Sequence, residues 1–162
     1  MNTKTRILFV CMGNIIRSPL AEHMFNHLAA QAGVQDKYHV DSAGTSAYHI
    51  GEQPDSRMRR VAAQNGLDYS GSARQVKAED FQRFDWIIPQ DGENLRDLQW
   101  LARTPEEKSK LVTMRTFDPQ GSPEDGVPDP YYGGIDGFQT TFEIVKRSCQ
   151  GLLEALENGE LG

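Results

Sequence analysis

RILFVCMGNIIRSP, residues 6–19, holds the reading on which the fold turns. Arg6 to Val10 is a short, wholly apolar run after its first residue, as expected of a parallel strand covered on both faces. Cys11 ends the run, a small polar loop follows, and Arg17 stands six positions after the cysteine. Ser18 can cap a helix and Pro19 suits its first position. Leu20, Met24, Leu28 and Ala32 then share one helical face, and Gly33 can end the helix.

The alternation continues downstream. Tyr38 to Val40 predicts a second strand, followed by the turn-like DSAGT. Pro54 to Asn65 predicts a helix with Met58, Val61 and Ala62 inward, and Ala78 to Arg83 a short one. Asp85 to Ile88 predicts a third strand, Glu93 to Leu101 a helix, and Thr104 opens a capping box with Glu107. Lys110 to Met114 predicts a fourth strand. Residues 115–134 are rich in Gly, Pro and Asp and predict a long loop, a usual place for function. Gly137 to Leu156 predicts a last helix with Phe138, Phe142, Val145, Cys149, Leu152 and Leu156 on its core face. This pattern predicts an α/β fold: a doubly wound single domain, residues 1–162, with a four-stranded parallel sheet flanked by helices. Ligands in such folds sit beyond the carboxyl ends of the strands, where Cys11 stands.

Composition narrows the function. The chain has 162 residues, a formal charge of −6 and two cysteines. The acidic balance argues against nucleic acid as a partner, and no stretch reaches transmembrane length, so no membrane insertion is expected. Two cysteines make no disulfide framework, and no Cys/His cluster suggests a metal, so neither metal nor cofactor is expected. The default setting is the reducing cytoplasm, and the short N-terminal apolar run lacks the marks of a signal peptide.

The loop after the first strand has the chemistry of an anion cradle. Its backbone N–H groups precede a helix and can converge on one anion, which favours the Cys11 thiolate. Gly13 permits close backbone approach, and Asn14 tolerates a left-handed conformation. The planar guanidinium of Arg17 can grip two phosphate oxygens, and Ser18 can hydrogen-bond the sulfur. A free cysteine is often a buried hydrophobe, and Cys149 reads as one. By chance alone, an arginine six places after either cysteine occurs about one time in ten. The strand before, Gly-Asn within and Ser-Pro-helix after make the functional reading much the stronger one.

VCMGNIIRSPLAE resembles the signature of the low-molecular-weight protein tyrosine phosphatases. DSAGT at 41–45, ARQV at 73–76, ENLRDL at 93–98 and DPYYGG at 129–134 extend the resemblance over nearly the whole chain. It implies a protein tyrosine phosphatase acting through a cysteinyl-phosphate intermediate. Cys11 would be the nucleophile and Arg17 the phosphate clamp. Met12, Gly13, Asn14, Ile15, Ile16 and Ser18 would form the phosphate site. Ester cleavage also needs an acid. From residue chemistry alone Asp118, Asp125 and Asp129 are equal candidates; the resemblance implies Asp129. It likewise implies Tyr131 as a pocket wall for a phosphoaryl group, with Met12 and Tyr48 where the other apolar walls fall and Tyr132 adjacent. His49 can lie nearby, but a lone histidine here reads as surface rather than catalytic.

The implied partners are tyrosine-phosphorylated proteins, with inorganic phosphate as product and inhibitor. The chain itself would be a monomer or a weak homodimer. Arginine phosphatases resembling this family carry threonine where this chain has Ile15, so hydrocarbon there favours phosphotyrosine. Many relatives have a second cysteine just before the arginine; here it is Ile16. Some have a histidine just before ARQ; here Gly71-Ser72 precede Ala73. Two alternatives stay open. An arsenate reductase of similar fold would need a redox relay that Cys149 alone must supply. A non-catalytic phosphotyrosine-binding module would not need its cysteine, arginine and acid together. A P-loop nucleotide binder is excluded, because GxxxxGK[ST] is absent.

Overall fold

The computed structural model describes residues 3–161. The expected domain span of 1–162 therefore runs past it at residues 1, 2 and 162, which lie outside the described residues. The apolar run becomes the central strand β1, Thr5–Cys11. It pairs in parallel with β2, Tyr38–Gly44, on one side and with β3, Trp86–Pro89, on the other. Side chains alternate across a strand, which explains why every β1 position after Arg6 is apolar. Ile7 and Phe9 pack under α1 (Arg17–Gln31) and α6 (Ile135–Glu157), whereas Leu8 and Val10 face the opposite layer. That second layer is built by α3 (Asp80–Arg83) through Phe81 and α4 (Gly92–Leu101) through Leu98. Fully buried side chains of this size each contribute about 1.5–3 kcal/mol.

The sheet has three strands among the described residues, and the expected fourth is corrected. Lys110 to Met114 reaches the edge of β3 but forms a single bridge, Leu111 opposite Ile87. Ile87 N–H donates to Lys110 O, and Val112 N–H donates to Ile87 O. The chain then turns into a 3₁₀ turn at Met114–Phe117, so no ladder can grow.

Helix starts also differ from expectation. α1 begins at Arg17 with no side-chain cap; Ser18 lies inside the first turn and its hydroxyl is used elsewhere. α2 (Ser56–Gln64) is capped by Asp55, and α4 by Asp91. At α5 (Pro105–Lys108) Thr104 accepts from Glu107 N as predicted, but the Glu107 carboxylate reaches back to Arg103 N.

The long loop before α6 is tied down at its root. Asp118 is buried and holds Arg115 and Arg147 at 3.0–3.2 Å. Burial opposes its charge, but Arg147, the Gln120 amide and Arg115 together keep its carboxyl below the usual range. Val127 N–H donates to Gln90 O, and Thr141 Oγ1 donates to Pro128 O. These bonds fix the approach to Asp129 from β3 on one side and α6 on the other.

Candidate active site

β1 ends at Cys11, and the next five residues, Met12 to Ile16, form a loop wrapped around its sulfur before α1 begins. Ser18 Oγ lies 3.0 Å from Cys11 Sγ, and Asn14 N–H points at the sulfur at 3.3 Å. The loop carbonyls are occupied from outside: Thr45 N–H donates to Cys11 O, Ser46 N–H to Met12 O and Asp55 N–H to Ile15 O. With carbonyls turned outward, the loop is free to present amides to an anion above the sulfur.

Asn14 has φ +57, the left-handed conformation anticipated for it. Three side-chain bonds hold it there. Its amide nitrogen donates to Ser18 Oγ at 2.9 Å and Ser42 Oγ at 3.0 Å, and its oxygen accepts from Arg74 N at 2.9 Å. Asn14 and Ser18 are buried behind the loop, so they act on the sulfur and the loop rather than lining the cavity.

The turn expected at DSAGT is corrected: Asp41 to Gly44 continue β2 alongside Leu8 to Cys11, and Gly44 at the strand's end packs directly on this loop. A Cβ there would lie 2.7 Å from Met12 O and 3.1 Å from Asn14 N, both backbone atoms with no room to yield. Gly44→Ala is expected to push the loop off its geometry. Misplacement by about 1 Å costs about 10²-fold, so kcat/KM for an aryl phosphate falls by about that factor. Inhibition by inorganic phosphate weakens in parallel, which steady-state kinetics will measure.

Arg17 is almost wholly buried and crosses the cavity floor. Its Nη1 donates to Asp91 Oδ2 at 2.5 Å and Val127 O at 3.0 Å, and Nη2 lies 3.6 Å from Asp129 Oδ2. Burial works against its charge, but Cys11, Asp91 and Asp129 more than offset that and hold the guanidinium charged. Asp91 was not anticipated. The available signal was its place at the carboxyl end of β3 and the start of a helix, where ligands and charges gather in such folds.

The cavity above the sulfur measures about 320 Å³. Of the residues expected there, it brings together Cys11, Met12, Gly13, Ile15, Ile16, Arg17, Tyr48, Asp129, Tyr131 and Tyr132. Tyr131 is half-buried and held by Arg57, whose guanidinium lies 5.3 Å from the ring and donates to Tyr131 O. Tyr48 and Tyr132 are 83% and 97% exposed, so they form a rim rather than a wall. Ser46 and His49 also line the cavity. His49 as a surface residue is corrected: its side chain is only 15% exposed, is paired with Glu52 at 2.9 Å and packs beside Gly13. Its place near the pocket agrees with the sequence reading; the turn that folds Tyr48 and His49 over the loop is what buries it.

The structure separates the three acid candidates. Asp118 is locked between arginines, and Asp125 is spent on Ser122. Asp129 alone among them lines the cavity, with Oδ1 accepting from Tyr131 N–H at 3.1 Å. Cys149 is fully buried against Ala21 O, and burial pushes its thiol up. No group of metal-ligating side chains occurs among the described residues.

Fold and site together define a doubly wound α/β protein with a cysteine–arginine loop at the mouth of a parallel sheet. The family model described as low molecular weight phosphotyrosine protein phosphatase matches residues 6–160. A Gallus gallus protein named as a low molecular weight phosphotyrosine protein phosphatase is 41% identical, with 91% of this chain and 93% of that protein covered. The crystal structure of a protein tyrosine phosphatase from Entamoeba histolytica, with Hepes in its active site, superposes with a TM-score of 0.92 at 38% identity, covering 97% of this chain and 99% of that one. A Drosophila arginine phosphatase superposes with a TM-score of 0.83 at 31% identity, covering 93% and 97%. This chain belongs to the low molecular weight phosphotyrosine protein phosphatase family.

Proposed function

We propose that this chain is a protein tyrosine phosphatase, one domain over residues 1–162, in which Cys11, Arg17 and Asp129 carry the chemistry. The observation that supports it best is their meeting in one cavity, although Asp129 comes from a loop far along the chain. The Cys11 thiolate attacks phosphorus, forming the S–P bond as the P–O bond to the phenol breaks. Asp129 gives the leaving oxygen its proton. A water then attacks the cysteinyl phosphate, Asp129 takes the water's proton, and inorganic phosphate leaves with the thiolate restored. Arg17 and the loop amides stabilise charge on the equatorial oxygens throughout.

Met12, Gly13, Ile15 and Ile16 surround the phosphoryl position, and Asn14 and Ser18 brace it from behind. Tyr48, Tyr131 and Tyr132 offer flat apolar surface to a phosphoaryl ring. Ile15 places hydrocarbon in the wall, which favours phosphotyrosine over phosphoarginine. The substrates are tyrosine-phosphorylated proteins, and inorganic phosphate is both product and competitive inhibitor. The cytoplasm is the expected setting, metal is not required, and the chain works as a monomer or weak homodimer. No described helix is long and apolar enough to cross a membrane.

Hydrolysis of p-nitrophenyl phosphate, phosphotyrosine peptide and phosphoarginine peptide with a chelator present tests this reading. Turnover of the first two that ignores the chelator supports it. No turnover, or turnover lost to the chelator, would sink it, and preference for phosphoarginine would overturn the role given to Ile15.

Oxidation should be hard to reverse. Ile16 stands beside Arg17 where a second thiol would be needed, and Cys149 is sealed in the core. Sulfenic acid at Cys11 then has no partner thiol among the described residues and proceeds to sulfinic and sulfonic acids. Activity lost to high peroxide is expected to stay lost after dithiothreitol, with Cys11 gaining two or three oxygens by mass spectrometry. Full recovery would contradict this.

A further inference from the structure

Behind the phosphate loop lies a second hollow of about 260 Å³, and Glu22 of α1 projects into it. Glu22 is the far end of a hydrogen-bond relay that reaches the sulfur. Ser42 Oγ donates to Glu22 Oε1 at 2.7 Å, and Asn14 Nδ2 donates to both Ser42 Oγ and Ser18 Oγ. Ser18 Oγ in turn meets Cys11 Sγ at 3.0 Å. Both amide hydrogens of Asn14 are used, and its oxygen accepts from Arg74 N, so its orientation is fixed. Ser42 has one hydrogen. Since its oxygen already accepts from Asn14, that hydrogen can only go onward to Glu22.

The protonation state of Glu22 therefore matters to the loop. An ionised Glu22 only accepts, so Ser42 keeps its lone pairs for Asn14. A protonated Glu22 loses the charge that strengthens its bond to Ser42, so it holds Ser42, and through it Asn14, less firmly. Asn14 sits at φ +57 and depends on these bonds to stay there. We propose that Glu22 is a positioning residue for the nucleophile: as a carboxylate it anchors, through Ser42, the Asn14 amide that shapes the loop around Cys11. This rests on the reading of Cys11 as nucleophile given above.

The surroundings make the ionisation relevant near neutrality. Burial, with the charge of Asp41 on β2, pushes the Glu22 carboxyl up to about 7, against the pull of Ser42 and Arg74. His23, the neighbour on α1, lies 3.7 Å away, but burial beside Tyr69 lowers its basicity, so it does not neutralise Glu22. Arg74, from the ARQV segment, divides its charge between Asp41 and Asp80. Gly71 and Ser72, which close the hollow, bring no charge. Folding raises this carboxyl, so its contribution to stability is full below the ordinary carboxyl range and is lost as pH rises through about 7. Support for the loop and stability of the fold thus pull in opposite directions at this residue.

The test compares wild type with Glu22→Gln. Iodoacetate alkylation of Cys11 from about pH 5 to 9 reads the loop without any turnover, because Cys149 is buried. In wild type the profile is expected to show two ionisations, the thiol and Glu22; in Glu22→Gln, only the thiol. Outer partners that orient a reacting group are worth about tenfold or more, so kcat/KM for p-nitrophenyl phosphate near neutrality falls by about tenfold. The same variant melts higher than wild type above neutrality, since it removes a buried charge.

An unchanged alkylation profile with unchanged kcat/KM overturns the proposal, whatever the melting temperature does. Should Glu22→Gln not fold, Ser42→Ala cuts the relay instead. Its alkylation profile should lose the Glu22 ionisation, and a retained one would overturn the proposal. A wild type that alkylates with two ionisations but hydrolyses no aryl phosphate would refute the proposed function and leave the Glu22 relay standing.

Discussion

Cys11→Ser is expected to lower kcat for any phosphate ester by at least about 10⁴-fold while leaving the fold and phosphate binding in place. The reason lies in the local geometry. Cys11 is 3% exposed, and its sulfur receives Asn14 N–H and faces Ser18 Oγ. A serine oxygen can occupy nearly the same site and keep both contacts, so the cavity and the Arg17 guanidinium survive. What is lost is the nucleophile: sulfur attacks phosphorus as a thiolate, whereas the alcohol oxygen of serine is a weak nucleophile. Steady-state kinetics should show the collapse in kcat. Thermal unfolding and protection by inorganic phosphate should stay close to wild type. Residual activity within tenfold of wild type would refute the covalent mechanism.

Asp129→Ala is expected to lower kcat for phosphotyrosine peptide by about 10²–10⁴-fold, the usual range for removing a general acid. Its side chain is about a third exposed and forms no buried ion pair beyond the 3.6 Å approach to Arg17, so folding is expected to be unaffected. The diagnostic is the leaving group. Phenol needs a proton as it departs, whereas nitrophenolate is a weak base and leaves without one. The loss should therefore be smaller for p-nitrophenyl phosphate than for phosphotyrosine, down to the share owed to activating water in the second step. Equal losses on both substrates would show that Asp129 acts through Arg17 and not as an acid.

Much of the architecture was legible because it rests on local rules. The apolar run from Ile7 to Val10 needs cover on both faces and has it. The helical spacing of Phe138, Phe142, Val145, Cys149 and Leu152 matched the buried face of α6. Lys110 to Met114 shows the limit. It has strand-like residues, but pairing depends on whether the next turn lets the chain run beside β3, and that turn at Met114–Phe117 is set by the anchoring of Asp118 to α6. Ser18 failed as a cap for a related reason: a hydroxyl with a thiol, an amide and a carbonyl at hand does not bond to its own helix.

The sequence by itself determined the cradle. Cys11, Gly13, Asn14, Arg17 and Ser18 lie within eight consecutive residues, and the short-range geometry of a strand, a loop and a helix start brings them together. Asp129 as the proposed acid came from resemblance, since Asp118, Asp125 and Asp129 have the same chemistry as bare residues. Tertiary structure alone separated them by burying one against arginines, turning one to a neighbouring serine and aiming one into the cavity. It also brought Asp91 to Arg17, His49 to Gly13 and Glu22 to the back of the loop. Those pairings join distant segments or depend on a turn, and no periodicity or spacing encodes them. Only the closing of the sheet and its helices around β1 sets which charges meet.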